Sequence, residues 1–381
     1  MLLSDPVELT RKLVGFATVN PPGNEEALAR FLADELARAG FDVVLHPFGE
    51  GRVNLIARIP GADGRKPIGF TGHLDTVPLG TANWTFAPHA GEIAGGRLYG
   101  RGSSDMKGGI AAFIAACLAH RDRLRSGSGV ELILTGGEET GCDGARALAD
   151  ERAELLRPLG ALIVGEPTSN RALIGHKGAL WLKGTVRGVT AHGAMPHEGI
   201  NAIYLAAESV LRIRGFDPGS EHALMGAPTI NVGTIKGGLN INSVPDRTEF
   251  SIDMRTVPGT SHRCLIDRLR THLGYVELSP VVDLPPVISD PDDDWVARVL
   301  ALCDAAAGSG STSRTVQYFT DAAILAPATG YPPTVILGPG EPDMAHKTDE
   351  YCRVDRLQQA VDLYDAILCD WIERPSASRG I

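Results

Sequence analysis

Two hydrophobic periods alternate along the chain. Between Glu25 and Ala39, Leu28, Phe31, Leu32 and Leu36 share one face at helical spacing, and Gly40 follows as a favoured C-terminal cap, so this stretch predicts an amphipathic helix. Short apolar runs at Val53–Ile59, Pro67–Thr71, Val130–Thr135, Ala161–Val164 and Thr334–Leu337 predict strands, and helical patterns such as Gly109–His120 separate them. Strands alternating with helices indicate an α/β sheet.

The middle of the chain reads differently. Ala179–Gly188 and Pro228–Ile235 read as strands, Asn201–Arg214 as a helix, Thr248–Arg255 alternates with period two, and Ser261–Leu273 reads as a second helix. Two helices and about four strands predict a small α+β insert over residues 176–284. Residues 1–175 and 285–381 then form one discontinuous domain around it, a division that suits a chain of 381 residues. The Gly/Ser/Thr run Gly308–Ser313 reads as a loop, and no internal repeat is visible.

Composition narrows the functional classes. Hydrophobic residues at 43% and charged residues at 22% mark a folded, soluble chain. A formal net charge of −10 without any block of lysine or arginine argues against a nucleic-acid partner. Met1–Pro22 carries Asp5, Glu8, Arg11 and Lys12 among its apolar residues, so neither a signal-peptide core nor a membrane span is expected there, and the cytoplasm is the expected location. Six scattered cysteines without a C-x-x-C pair read as free thiols rather than bridges or zinc ligands, with Cys117 in the core.

Five acidic or histidine-bearing clusters follow predicted strands or adjoin them in glycine-rich loops, at the edge where open α/β sheets bind ligands. In Gly72-His73-Leu74-Asp75-Thr76-Val77-Pro78, the two-residue spacing can put His73 and Asp75 on one side of an extended backbone, with Asp75 orienting the His73 ring; a polar turn is the plainer alternative. Gly100–Gly109 sets Asp105 in a loop that opens a helix, and by itself reads equally as a helix cap or an anion-binding turn. Thr135-Gly136-Gly137-Glu138-Glu139-Thr140-Gly141 places two like charges side by side, which repel unless a cation or a shared proton intervenes. Glu139 as a metal ligand and Glu138 as a general base satisfies both. Glu166 adds a carboxylate at a strand end, and His346 an imidazole in Ala345–Glu350. Together His73, Asp105, Glu139, Glu166 and His346 form a nitrogen-and-oxygen donor set without thiolate, suited to zinc, with cobalt or manganese as substitutes. If Asp105 bridges, His73 and Glu166 complete one metal's contacts, His346 and Glu139 the other's, and two metals about 3.5–4 Å apart make a hydrolytic pair.

At these residues the chain resembles the zinc metallohydrolase family of aminoacylase, carboxypeptidase G, acetylornithine deacetylase and succinyl-diaminopimelate desuccinylase. The resemblance spans essentially the whole chain, with the clusters in the family's order. It implies a mixed-sheet α/β catalytic domain with an inserted α+β lid and dimerisation domain, and two zinc ions per chain. It further implies that Asp105 bridges, that Glu138 is the base, that Asp75 orients His73, and that the Asp105-Met106 peptide is cis. Gly188-Val189-Thr190-Ala191-His192-Gly193-Ala194 resembles the lid signature, which makes His192 the residue that crosses a homodimer to hold the oxyanion. Gly237–Pro245, with Asn242, and Asp253-Met254-Arg255 resemble the substrate-binding segments, Arg255 clamping a free carboxylate. Thr320-Asp321-Ala322 matches a substrate-side loop, although Tyr318-Phe319 stands where many members have glycine, which bears on pocket size and on the placement of Thr320. The activity so implied is hydrolysis of the amide bond of a small N-acyl amino acid. A dipeptidase or carboxypeptidase is the alternative, and a non-catalytic metal-binding protein a more remote one.

Overall fold

The computed structural model describes residues 2–307 and 313–374; of the expected loop Gly308–Ser313, all but Ser313 lies outside them. In chain order the first half runs α1 (Pro6–Val14), α2 (Glu26–Arg38), β1 (Asp42–Gly49), β2 (Arg52–Pro60), β3 (Ile68–His73), α3 (Gly108–Ala119), α4 (Arg121–Ser126), β4 (Gly129–Thr135), α5 (Asp143–Glu151) and β5 (Ala161–Val164). Then follow β6 (Gly178–Arg187), α6 (Ala202–Arg214), β7 (Thr229–Gly237), β8 (Arg247–Thr256), α7 (His262–Leu273), β9 (Glu277–Leu284), α8 (Asp294–Ala307), α9 (Ala322–Ala328), β10 (Thr334–Ile336) and α10 (Val354–Glu373).

The chain forms two compact units. The first contains the segment up to Gly175, Ser289–Arg314 and the chain from Thr320 on. Its main sheet is mixed, in the order β1-β2-β4-β3-β5-β10. β2 runs antiparallel to β1 and β4, whereas β3 is parallel to both β4 and β5, and β10 is parallel to β5. Every residue of β3, β4, β5 and β10 is buried. Strands covered on both faces require continuous apolar runs rather than alternation, which is why these four are conspicuous in the sequence. α3 is apolar all round, and its residues 108–117 are all buried, as a helix enclosed by protein must be. It packs against α1 and α10. Phe70 of β3 contacts Phe113 of α3 and the edge of Tyr364 of α10, so strand, central helix and C-terminal helix share one aromatic core.

The second unit comprises His176–Ile288 and the short segment Thr315–Phe319. Phe319 therefore groups with the insert, where the sequence pattern places it in the surrounding domain; the tie is a ladder contact in which Lys177 N–H donates to the Val316 carbonyl. Four antiparallel strands in the order β7-β8-β6-β9 carry α6 and α7. β8 alternates strictly, burying Thr248, Phe250, Ile252, Met254 and Thr256. Leu180, Leu182, Ile213, Leu265 and Leu269 pack with its apolar positions. Asn201 caps α6 and Ser261 caps α7, so both helices begin one residue beyond the polar residue that opens the sequence pattern. Among the described residues, no helix is long and apolar enough to cross a membrane.

One close approach ties the core to the chemistry. A Cβ at Gly109, in the first turn of α3, would stand 2.0 Å from the carbonyl oxygen of Gly165, the residue before Glu166. Only glycine lets α3, and the Asp105 loop that opens it, lie directly on that strand end. Gly109→Ala is expected to destabilise the chain by about 1–3 kcal/mol, read from urea unfolding, because the obstacle is backbone and cannot rotate away.

Candidate metal centre

β3 ends on His73, β4 runs into Gly136-Gly137-Glu138-Glu139, and β5 leads through Gly165 to Glu166. β3 lies between β4 and β5 and is parallel to both, so their carboxyl ends present His73, the Glu138-Glu139 turn and Glu166 at one edge. Asp105 comes from the irregular segment ahead of α3, and its peptide bond to Met106 is cis. His346 comes from the segment before α10, with a left-handed backbone (φ 63°).

Asp105 stands between the two histidines. Its Oδ1 lies 3.0 Å from His73 Nε2, and its Oδ2 lies 3.5 Å from His346 Nε2. Glu166 Oε1 is 3.9 Å from His73 Nε2, and Glu139 Oε2 is 3.1 Å from His346 Nε2. The five residues thus fall into two groups of three that share Asp105. His73, Glu138 and Glu166 are buried, while His346 is exposed and Glu139 half-buried.

Asp75 occupies the second layer in an unexpected way. The sequence spacing assigns its carboxylate to the His73 ring, yet His73 Nδ1 lies 2.9 Å from the Asp75 backbone carbonyl and 3.6 Å from the carboxylate. The carboxylate instead accepts the N–H groups of Glu138 (3.2 Å) and Glu139 (3.3 Å) and the side-chain amide of Asn20 (2.9 Å). One residue therefore orients the imidazole through its main chain and the paired glutamates through its side chain.

Two further positioning groups are inconspicuous in the sequence. Glu350, fully buried, accepts N–H groups from Gly102 (3.0 Å), Ser104 (2.9 Å) and Asp105 (3.1 Å) and the Arg101 guanidinium (2.7 Å). It pins the Asp105 loop from a position four residues after His346, and nothing local in the sequence marks it. Asp321, also buried, accepts a hydrogen bond from the Thr135 hydroxyl at the end of β4. Thr320 is fully buried, and its hydroxyl accepts the Ala322 N–H at the start of α9 (3.2 Å).

In the second unit, the Gly193 N–H donates to the Asn242 carbonyl at 2.7 Å, and His192 pairs with Ser243, so the two lid segments lie side by side with His192 and Asn242 exposed. Arg255 is paired with Asp253 at 3.0 Å, and its guanidinium lies 5.9 Å from the ring centroids of both Trp181 and Phe319.

The electrostatics are those of crowded acid. Asp75, Asp105, Glu138, Glu139, Glu166 and Asp321 crowd around the imidazoles of His73 and His346, with the buried Lys107 ammonium also acting on Asp75. Burial, reinforced by neighbouring carboxylates, pushes Glu138 and Glu166 well above the ordinary glutamate range, and burial lifts Asp321 to about 6. Burial acts against charge on His73 and Asp105 as well. Hydrogen bonds between them nevertheless raise the imidazole and, with His346, hold Asp105 low. Hydrogen bonds to Asp105 and Glu139 push His346 up to about 10. Glu139 Oε1 is buried without a hydrogen-bond partner, as is Asp321 Oδ1. Orphaned carboxylate oxygens beside imidazole nitrogens suit a group that supplies positive charge, namely a metal ion. His73, Asp105 and Glu139 offer ligand atoms within 4.8 Å of one another.

A nitrogen-and-carboxylate metal centre at the carboxyl edge of an α/β sheet defines a metal-dependent hydrolase class of site. Residues 69–370 match the model of peptidase family M20/M25/M40, and the chain belongs to that family of amide-bond hydrolases. It is 30% identical to a probable succinyl-diaminopimelate desuccinylase of Staphylococcus epidermidis, across 97% of this chain and 98% of that one. It is 31% identical to an acetylornithine deacetylase of Vibrio cholerae, across 89% of each. An M20 metallo-carboxypeptidase from Sulfolobus solfataricus has the same fold, with a TM-score of 0.79 over 96% of this chain and 98% of that one at 18% identity.

Two outcomes follow from this geometry. Glu350→Gln, which weakens the anchor under Asp105, is expected to lower metal affinity by roughly 10–100-fold in chelator competition, the usual effect of removing an outer-layer partner. Hydrogen bonds to Asp105 and Glu139 favour the charged form of His346 at pH 7, and that proton must leave for the imidazole to coordinate. Zinc binding should therefore release protons, and apparent affinity should rise about tenfold per pH unit for each proton displaced, measured by calorimetry in buffers of differing ionisation enthalpy.

Proposed function

We propose that the chain is a dinuclear zinc amidohydrolase that cleaves the amide bond of an N-acyl amino acid, like the deacetylases and desuccinylases its relatives are named for. The observation that carries this reading is Asp105, whose two carboxylate oxygens face different histidines. His73, Asp105 and Glu166 would hold one ion, and His346, Asp105 and Glu139 the other. Zinc suits this thiolate-free set, with cobalt or manganese as substitutes. When bound, the pair supplies Lewis-acid polarisation of the scissile carbonyl and eases ionisation of the attacking water.

The chain's own residues then move the protons. Glu138 takes one from the attacking water and returns it to the departing amine nitrogen, and burial, which raises its pKa above the ordinary glutamate range, makes it the stronger base. Asp75 fixes this carboxylate through the Glu138 N–H. His192 of one protomer donates to the developing oxyanion in its partner's site, with Asn242 beside it. Arg255, pre-oriented by Asp253 and two aromatic rings, takes the substrate's free carboxylate through the open edge of its guanidinium. The insert serves as lid and dimerisation domain. β7 is an edge strand with exposed Ile235, and α6 exposes Tyr204 and Leu211, which supports a homodimer through this unit. All six cysteines are free, which fits a reducing, cytoplasmic setting.

Hydrolysis of N-acetyl and N-succinyl amino acids and dipeptides, compared between wild type and Glu138→Ala, tests the reading. The expected result is acyl-substrate turnover that falls about 10²–10⁴-fold in the variant at unchanged metal content. Full activity in the variant would remove Glu138 from the mechanism, and turnover confined to dipeptides would make the chain a peptidase.

A further inference from the structure

A second mixed donor cluster lies at the opposite end of α3. That helix opens at the Asp105 loop and runs for 12 residues to His120, which caps its C-terminus, a rise of about 18 Å. α10 passes this end and offers Asp365 and Cys369, four residues apart and hence on one helical face. His120 Nε2 lies 2.5 Å from Asp365 Oδ1 and 3.8 Å from Cys369 Sγ, and the three donor atoms fall within 4.8 Å of one another. His120 is buried, which fixes its ring, while Asp365 and Cys369 are partly exposed and leave a path from solvent.

The way these atoms converge is diagnostic. In a nucleophilic cysteine site the carboxylate and the thiol address opposite nitrogens of the imidazole. Here both address Nε2, as ligands do around a shared ion. Zn–S near 2.3 Å and Zn–N near 2.0–2.1 Å in a tetrahedron separate sulfur from nitrogen by about 3.6 Å. The observed 3.8 Å is already close, and the half-exposed Asp365 can withdraw to make room. Arg123 flanks the cluster, 3.3 Å from Cys369 Sγ and 3.4 Å from His120 Nδ1. Its charge is paired with Glu373 at 3.0 Å, one turn beyond Cys369, so Asp365 is the anion left facing His120.

We propose that His120, Asp365 and Cys369 form a further, mononuclear site for a borderline-soft divalent cation of the zinc class, with solvent as fourth ligand. Binding releases the thiol proton. The proton between His120 Nε2 and Asp365 moves to Nδ1, where Arg123 gives up its contact while keeping Glu373. The ion clamps the end of α3 to α10 and takes no part in hydrolysis.

The test exploits sulfur. Chelator-dialysed full-length chain is titrated with Co²⁺ and followed by the thiolate-to-cobalt charge-transfer absorption, which the thiolate-free dinuclear centre cannot produce whether or not that centre is correctly assigned. One such cobalt per chain is expected, absent in Cys369→Ser, bound at least tenfold more weakly in Asp365→Asn and His120→Gln, and unchanged in Cys264→Ser, which removes the exposed thiol. Asp365→Asn alters a half-exposed residue and carries the test if His120→Gln does not fold. Absence of the band in wild type, its survival in Cys369→Ser, or its indifference to Asp365→Asn would overturn the site.

Discussion

The structure depends on a concentration of buried carboxylates that the chain alone does not neutralise. Asp105, Glu138, Glu139 and Glu166 converge where parallel strands end, and two histidines cannot balance them. Without a cation, protons must be held at raised pKa values and carboxylate oxygens left unpartnered, as Glu139 Oε1 is. An arrangement this unfavourable by itself is the mark of a site whose remaining charge arrives from outside the chain.

Holding those groups together falls to buried residues around them. Asp75 ties the His73 strand to the Glu138-Glu139 turn, Glu350 clasps the backbone of the Asp105 loop, and Gly109 admits α3 onto the Gly165 carbonyl. Each links segments distant in sequence, and each is buried, so it acts where hydrogen bonds are strongest and their loss most costly. The hydrolytic chemistry thus rests on a rigid sheet edge, with His346 alone delivered from an exposed, left-handed position.

Much of this is legible in the chain because the relevant signals are local. Doubly covered strands are continuous apolar runs, so Val130–Thr135 and Ala161–Val164 stand out, and glycine-flanked acids directly after them mark the sheet edge. Asn201 and Ser261 announce two helix starts by capping them. What stays hidden is relational. Glu350 resembles any polar loop residue until its four donors are seen around it. Nothing in the sequence shows that Thr320 is fully buried against the start of α9, or that the Asp75 carboxylate accepts two backbone N–H groups. Cys369 shows no metal spacing, because its neighbours Asp365 and His120 are supplied by a helix face and by a helix end 249 residues away.

The most direct measurement is anomalous X-ray scattering at the zinc edge from crystals of the zinc-loaded chain. Two peaks flanking Asp105 are expected, one in contact with His73 and Glu166 and the other with His346 and Glu139. A single peak, or peaks that leave Asp105 without a metal on either oxygen, would contradict the dinuclear assignment.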